Sequence, residues 1–394
     1  MHLTIPTRKP KTNTAAPSAE LVAIARLAVA GRADAVTDAL ASSPDPMALA
    51  DAAQHHGLAP IFHVFSRARA NELPPELSGR LAAAYRQNKA RAIILLSEAA
   101  RIAPQFESRG VPCIPLKGAA LAEDLYGDPA MRPMHDVDLI VPQSALAIAR
   151  EIMLAAGYHE ESGDLRAGFE EEFRSELSFY RSSPHPCRVE IHWGLLNFGG
   201  HEEWTKEAFK RSVVTPRGRR LTDEETLLYL AAHSAYHHQN DRLIWEFDVA
   251  LLLQSKGALL DDSVVGELAQ THRLLMPLRW ALETGERLGV PAPPHLAAVL
   301  QHRRVGRVER WGLRFARDPQ LASAVRTLLT LRSTPGWRRR LRLIGAKLFP
   351  DKEHLVARHH AHGFWPWIYT KRILSLGARL ALALLHIGKP RSGD

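Results

Sequence analysis

The chain has 394 residues, 46% of them hydrophobic and 24% charged, with a net charge of +9, enough for two or three domains around a sizeable core. Cys113 and Cys187 are the only cysteines, which excludes a disulfide framework. No apolar run reaches the roughly 20 residues that span a bilayer and no apolar leader opens the chain, so the expected location is the cytoplasm.

Residues 1–18, with the stretch Arg8-Lys9-Pro10-Lys11-Thr12-Asn13, read as a disordered basic arm. Residues 19–108 carry Ala- and Leu-rich helical periodicity, as from Ile93 to Ala103, and form an N-terminal helical region. Pro104 should kink or interrupt its last helix, and Gly110 marks the latest end. An α/β core is expected over 109–215. Within it, His135-Asp136-Val137-Asp138-Leu139-Ile140-Val141 places two carboxylates one residue apart in a β-branched run. On a strand Asp136 and Asp138 share one face, while Val137, Leu139 and Val141 face a core. Like charges on one face repel, and each costs free energy to desolvate, so a divalent cation is the economical partner.

The segment Gln143 to Ala156 reads as a connecting helix closed by Gly157. Leu177-Ser178-Phe179-Tyr180, a turn over Ser182–Pro186, and Arg188-Val189-Glu190-Ile191-His192-Trp193 then form a hairpin. Arg188, Glu190 and His192 alternate with apolar Val189, Ile191 and Trp193, which puts Glu190 on a strand neighbouring the Asp pair. Three hard oxygen ligands, Asp136, Asp138 and Glu190, suit Mg²⁺ or Mn²⁺ rather than zinc.

From 216 to 394 the chain reads as a C-terminal helical domain with breaks near Pro291–Pro294 and at Pro350. Thr222-Asp223-Glu224-Glu225 is a capping box opening a helix with Leu227, Leu228, Leu230 and Ala231. His233 and His237 share a helical face, but no glutamate stands between them as in zinc proteases. His233 is instead expected to line a substrate cleft with His192 and with Asp248, whose helix begins near Leu243-Ile244-Trp245. His354, His359, His360 and His362, beside Phe364, Trp365 and Trp367, read as a solvated stretch. Trp337-Arg338-Arg339-Arg340-Leu341-Arg342-Leu343-Ile344 and Lys371-Arg372-Ile373-Leu374 mix basic and apolar residues at helical spacing. Such segments are most often bundle helices with a charged outer face; some lie on anionic membrane or nucleic acid. Nucleic acid is not favoured, because the chain has no interleaved aromatic–basic motif of the RNA-recognition type.

Lys117-Gly118-Ala119-Ala120-Leu121, Tyr126-Gly127-Asp128-Pro129, Arg132-Pro133, Asp136-Val137-Asp138-Leu139, Gly157-Tyr158 and Glu190-Ile191-His192-Trp193 resemble the uncharacterised nucleotidyltransferase family of the DNA-polymerase-β-like superfamily. The resemblance continues through His233, Arg242, Trp245 and Asp248, and more loosely through Leu348-Phe349-Pro350. It implies an α+β fold: a small mixed-sheet core flanked by N- and C-terminal helical regions. It also implies transfer of a nucleotidyl group from a nucleoside triphosphate, ATP expected, to an acceptor hydroxyl or similar oxygen of a small molecule, peptide or protein, with release of pyrophosphate. Asp136, Asp138 and Glu190 are then the catalytic metal ligands, and Lys117, Gly118 and Arg132 meet the nucleotide at a helix N-terminus. Where many relatives carry Gly-Ser or Gly-Gly, this chain has Lys117-Gly118-Ala119. Two other functions use the same residues: kinase-like γ-phosphate transfer, and nucleotide binding by an inactive regulatory scaffold.

Overall fold

The computed structural model describes residues 16–161, 165–166, 168–196, 200–238, 242–306, 309–310, 322–359 and 365–385. The basic stretch from Arg8 to Asn13, His360, His362 and Phe364 lie outside them.

Five helices open the described chain: α1 (Ala19–Val29), α2 (Ala33–Ala41), α3 (Pro46–His55), α4 (Ala59–Ser66) and the long α5 (Pro75–Glu107). Side-chain caps start two of them. Ser18 Oγ accepts from Leu21 N at 3.1 Å, and Asp45 Oδ1 from Ala48 N at 3.0 Å. Helix α5 continues through Pro104 without interruption. Phe106, fully buried two residues further on, anchors the last turn in the core, and the helix ends before Gly110, which takes φ +71°.

The sheet has five strands: β1 (Ile114–Pro115), β2 (Val137–Ile140), β3 (His159–Glu160), β4 (Glu176–Arg181) and β5 (Cys187–His192), in the order β1-β2-β5-β4-β3. Only β2 and β5 run parallel, so the sheet is mixed. The expected hairpin is β4–β5. Val137, Leu139, Phe179, Val189 and Ile191 pack on one face of the sheet against α5 and α7 (Leu146–Ala155). The connection at 116–136 contains α6 (Lys117–Asp124), which starts directly after β1.

Beyond the sheet lie the short α8 (Phe169–Phe173) before β4 and α9 (Glu202–Arg211) after β5. A second hairpin, β6 (Val213–Thr215) and β7 (Gly218–Arg220), was not read from sequence, and the expected boundary at 215 falls in its turn. The helices α10 (Asp223–His233), α11 (Leu243–Lys256), α12 (Asp262–Thr271), α13 (Leu275–Arg287) and α14 (Pro294–Gln301) follow. Leu227, Phe247 and Leu275 from this group share one continuous core with Leu21, Ile24 and Phe62. The two helical flanks, read separately in sequence, therefore close on each other beside the sheet. The capping box at Thr222 is half used. Glu225 N donates to Thr222 Oγ1 at 3.2 Å, but the buried Glu225 carboxylate accepts from Trp204 Nε1 at 2.6 Å and from Arg211 at 2.7 Å. Two strong donors outcompete its own backbone.

The last described helices are α15 (Ala322–Ser333), α16 (Trp337–Leu348), α17 (Lys352–His359) and α18 (Trp365–Leu385). No described helix is long and apolar enough to cross a membrane.

Glu98 on α5 ties this helix to the sheet. It pairs with Arg101 and with Arg181 of β4, both at 2.6 Å, and accepts from Tyr158 Oη at 2.8 Å. Burial alone would raise its pKa, but the two guanidiniums and the phenol prevail and hold it at about 2, against an ordinary value of 4.5. A depressed folded-state pKa gives stability that is complete above the unfolded value and is lost as the pH falls through the folded one. Glu98→Gln is expected to cost about 2–3 kcal/mol at neutral pH, and less than half of that near pH 3. Urea unfolding of both proteins at the two pH values checks this.

Candidate active site

The site is built on the edge where β2 meets β5. Their parallel register sets Asp138 directly beside Glu190, and Ile140 beside His192. Alternation along β5 puts Glu190 and His192 on the same face, two residues apart. His192 Nε2 lies 2.9 Å from Asp138 Oδ1 and 3.6 Å from Glu190 Oε2. From the other side, Leu116 N donates to Asp138 O at 2.9 Å, so the first residue of α6 stands opposite Asp138. That residue, Lys117, donates from Nζ to Asp138 Oδ1 at 2.6 Å. Its backbone has φ +49°, a left-handed conformation that is strained for a side chain of this kind and that the surrounding structure must hold. Asp136 stands in the bend just before β2 rather than on the strand.

Gly118 does begin a helix, as expected, but it is buried and a Cβ there would lie 2.3 Å from Met134 Cγ and 3.0 Å from an Arg132 Nη1. Close packing on the residues leading into β2 accounts for the glycine. Gly118→Ala should therefore displace buried Met134 and destabilise by about 1–3 kcal/mol, readable as a lower urea midpoint.

Arg132 and Asp248 form a wall behind the strands. Arg132 Nη2 donates to Asp248 Oδ2 at 2.7 Å and Nε to Oδ1 at 3.3 Å, and Tyr126 Oη donates to Oδ1 at 2.5 Å. The Arg132 guanidinium also sits 5.1 Å from the Trp245 ring centroid, and buried His233 packs edge-on against the same ring. Asp248 is 0% exposed, so it braces Arg132 rather than facing an open cleft. Arg132 is itself committed to that pair, because a buried carboxylate is its strongest available partner.

The electrostatics are uneven. Burial would raise the Asp138 carboxyl, but the Lys117 ammonium and the His192 hydrogen bond hold it far below the usual range. Burial works against charge on Lys117 and on His192, yet Asp138 raises the pKa of both, that of Lys117 well above its ordinary value. Asp136 and Glu190 shift the other way: burial first, and then the charge of Asp138, push them up, to about 6 and about 8. Three carboxylates thus crowd a site in which Lys117 is already engaged by Asp138.

The family model described as uncharacterised nucleotidyltransferase matches residues 42–288, well over half of the chain. The chain belongs to this nucleotidyltransferase family. No curated protein and no solved structure matches it. The matched span begins just after α2 and ends just past α13, so it includes the whole sheet and the wall behind it.

In this member of the family the donor set fits a hard divalent cation. One ligand atom each of Asp138, Glu190 and His192 lie within 4.8 Å of one another, and burial together with the charges of Asp138 and Asp136 raises the proton affinity of Glu190 there. His192 joins the two expected carboxylates, while Asp136 lies outside that trio and acts on Glu190 through its charge. Sequence reasoning assigned no role to Tyr126, Glu176 or Tyr229. Glu176 faces His192 across β4–β5, and its Oε2 lies 3.8 Å from His192 Nδ1; the hairpin register carried that signal. Tyr229 of α10 is buried and lines a cavity beside Lys117, a long-range contact with no local signature.

Proposed function

We propose that the protein is a metal-dependent nucleotidyltransferase that moves a nucleotidyl group from a nucleoside triphosphate, ATP by preference, to an acceptor oxygen, releasing pyrophosphate. The observation that carries this is the lateral pairing of Asp138 with Glu190 beside Lys117, in a chain of the nucleotidyltransferase family. Asp138 and Glu190, with His192 and with Asp136 at the rim, would hold Mg²⁺ or Mn²⁺. When bound, such an ion neutralises phosphate charge and favours departure of pyrophosphate. Lys117 supplies a fixed positive charge for phosphate oxygens. Glu190, beside Asp138 in the parallel register, is placed to accept the proton of the attacking hydroxyl. The Arg132–Asp248 pair keeps β2 and α6 in register with these groups. His233, through Trp245, completes the wall of the substrate cleft. The acceptor is a small molecule, a peptide or a protein.

A thermal-shift panel with ATP, GTP, CTP and UTP, with and without Mg²⁺, tests nucleotide binding without knowledge of the acceptor. A triphosphate at about 100 times its Kd should stabilise the wild type by roughly 2.7 kcal/mol. That shift should require metal and vanish in Asp136→Ala/Asp138→Ala. Transfer of label from α-labelled but not γ-labelled nucleotide then separates nucleotidyl transfer from a kinase reaction.

A further inference from the structure

The basic helices near the C-terminus are not explained by bundle packing alone. Helix α16 buries Leu343 and Ala346 against Phe169 and Phe173 of α8, which accounts for one of its faces. A different face leaves Trp337, Leu341 and Ile344 exposed, 67%, 56% and 38% respectively, at i, i+4 and i+7. Helix α18, which packs against α16, repeats the pattern with exposed Trp367, Lys371 and Leu374 at the same spacing. Seven of the twelve exposed large apolar side chains among the described residues fall between 337 and 374. The same span has nine Lys and Arg against two acidic residues, most of the net +9 of the whole chain. Cations flank the apolar stripes directly: the Arg338 guanidinium lies 5.4 Å from the Trp337 ring and the Lys371 ammonium 5.2 Å from the Trp367 ring.

We propose that the exposed faces of α16 and α18 form a peripheral docking surface for an anionic lipid bilayer. Apolar stripes bordered by cations, with tryptophan at their ends, suit the headgroup boundary: the rings and leucines enter and the cations remain at phosphate level. A second copy of the chain fits poorly, because two such faces repel. Nucleic acid would leave Leu341, Ile344 and Leu374 without an apolar partner. The surface lies outside the family-matched span and is independent of the nucleotide chemistry.

Cosedimentation of the full chain with vesicles tests it. Phosphatidylcholine vesicles containing about 30% phosphatidylglycerol should carry the protein down, and vesicles of phosphatidylcholine alone should not. Trp337→Gln/Leu341→Gln should weaken binding at least roughly tenfold, and Arg338→Gln/Lys371→Gln roughly fivefold for each cation removed. Both pairs are exposed, so unchanged circular dichroism confirms folding, and release of the wild type by salt gives a reading that needs no variant. Absence of binding to the anionic vesicles, equal binding to neutral ones, undiminished binding by the Trp337/Leu341 variant, or displacement of the vesicles by duplex RNA would overturn the proposal.

Discussion

Asp138→Asn should lower nucleotidyl transfer by about 10²–10³-fold or more while leaving the protein folded. Among the described residues, Asp138 is the only carboxylate that hydrogen-bonds both Lys117 and His192, through one oxygen, at 2.6 and 2.9 Å. The amide keeps the shape but gives up the charge that organises both cations and that the proposed metal needs. Removing one partner of a buried pair ordinarily costs about 3–5 kcal/mol. Here the loss should be smaller, because Glu190 and Asp136 stand beside Lys117 and act on the same ammonium. The variant should thus be far more defective in activity than in urea stability. Glu190→Gln should repeat this split. A variant that loses stability and activity in proportion would mean that the cluster serves folding rather than chemistry.

The largest effect on stability is expected at Asp248. Its carboxylate and the Arg132 guanidinium are both nearly inaccessible, with side chains 1% and 4% exposed. Asp248→Ala leaves a buried guanidinium without an anion and Tyr126 without its acceptor, and should cost about 3–5 kcal/mol. Asp248→Asn keeps an acceptor for Tyr126 and should cost less. Replacing both partners, as in Arg132→Met/Asp248→Leu, removes the unpaired charge and should recover part of the loss. Urea unfolding of these variants, and of the single variants Arg132→Met and Asp248→Leu, gives the comparison. If the double variant were as unstable as the sum of the single ones, the two residues would not act as a pair.

The site was legible where local rules decide it. Alternation in 188–193 gave the face of Glu190 and His192, and the turn at 182–186 gave the β4–β5 hairpin. The Asp-x-Asp run supplied Asp138 on β2, although Asp136 falls one residue before the strand. What sequence could not supply was long-range. That Asp138 lies beside Glu190 in a parallel pair follows from a crossover of about 50 residues. The partner of Arg132 is Asp248, 116 residues away. At Pro104 the helix is not interrupted, because the local rule against proline in helices was outweighed by the burial of Phe106. Nor did periodicity reveal that the N- and C-terminal helical flanks share one core. It identifies an apolar face without naming what covers it.

Mn²⁺ binding followed by electron paramagnetic resonance tests the central claim most directly, since free ion is read from its own signal and no acceptor is needed. Wild-type protein with a non-hydrolysable ATP analogue should take up Mn²⁺, and Asp138→Asn and Glu190→Gln, both folded, should each lose most of that uptake. Mn²⁺ uptake unchanged in both variants would contradict the assignment of the β2–β5 carboxylates as the metal and nucleotide site.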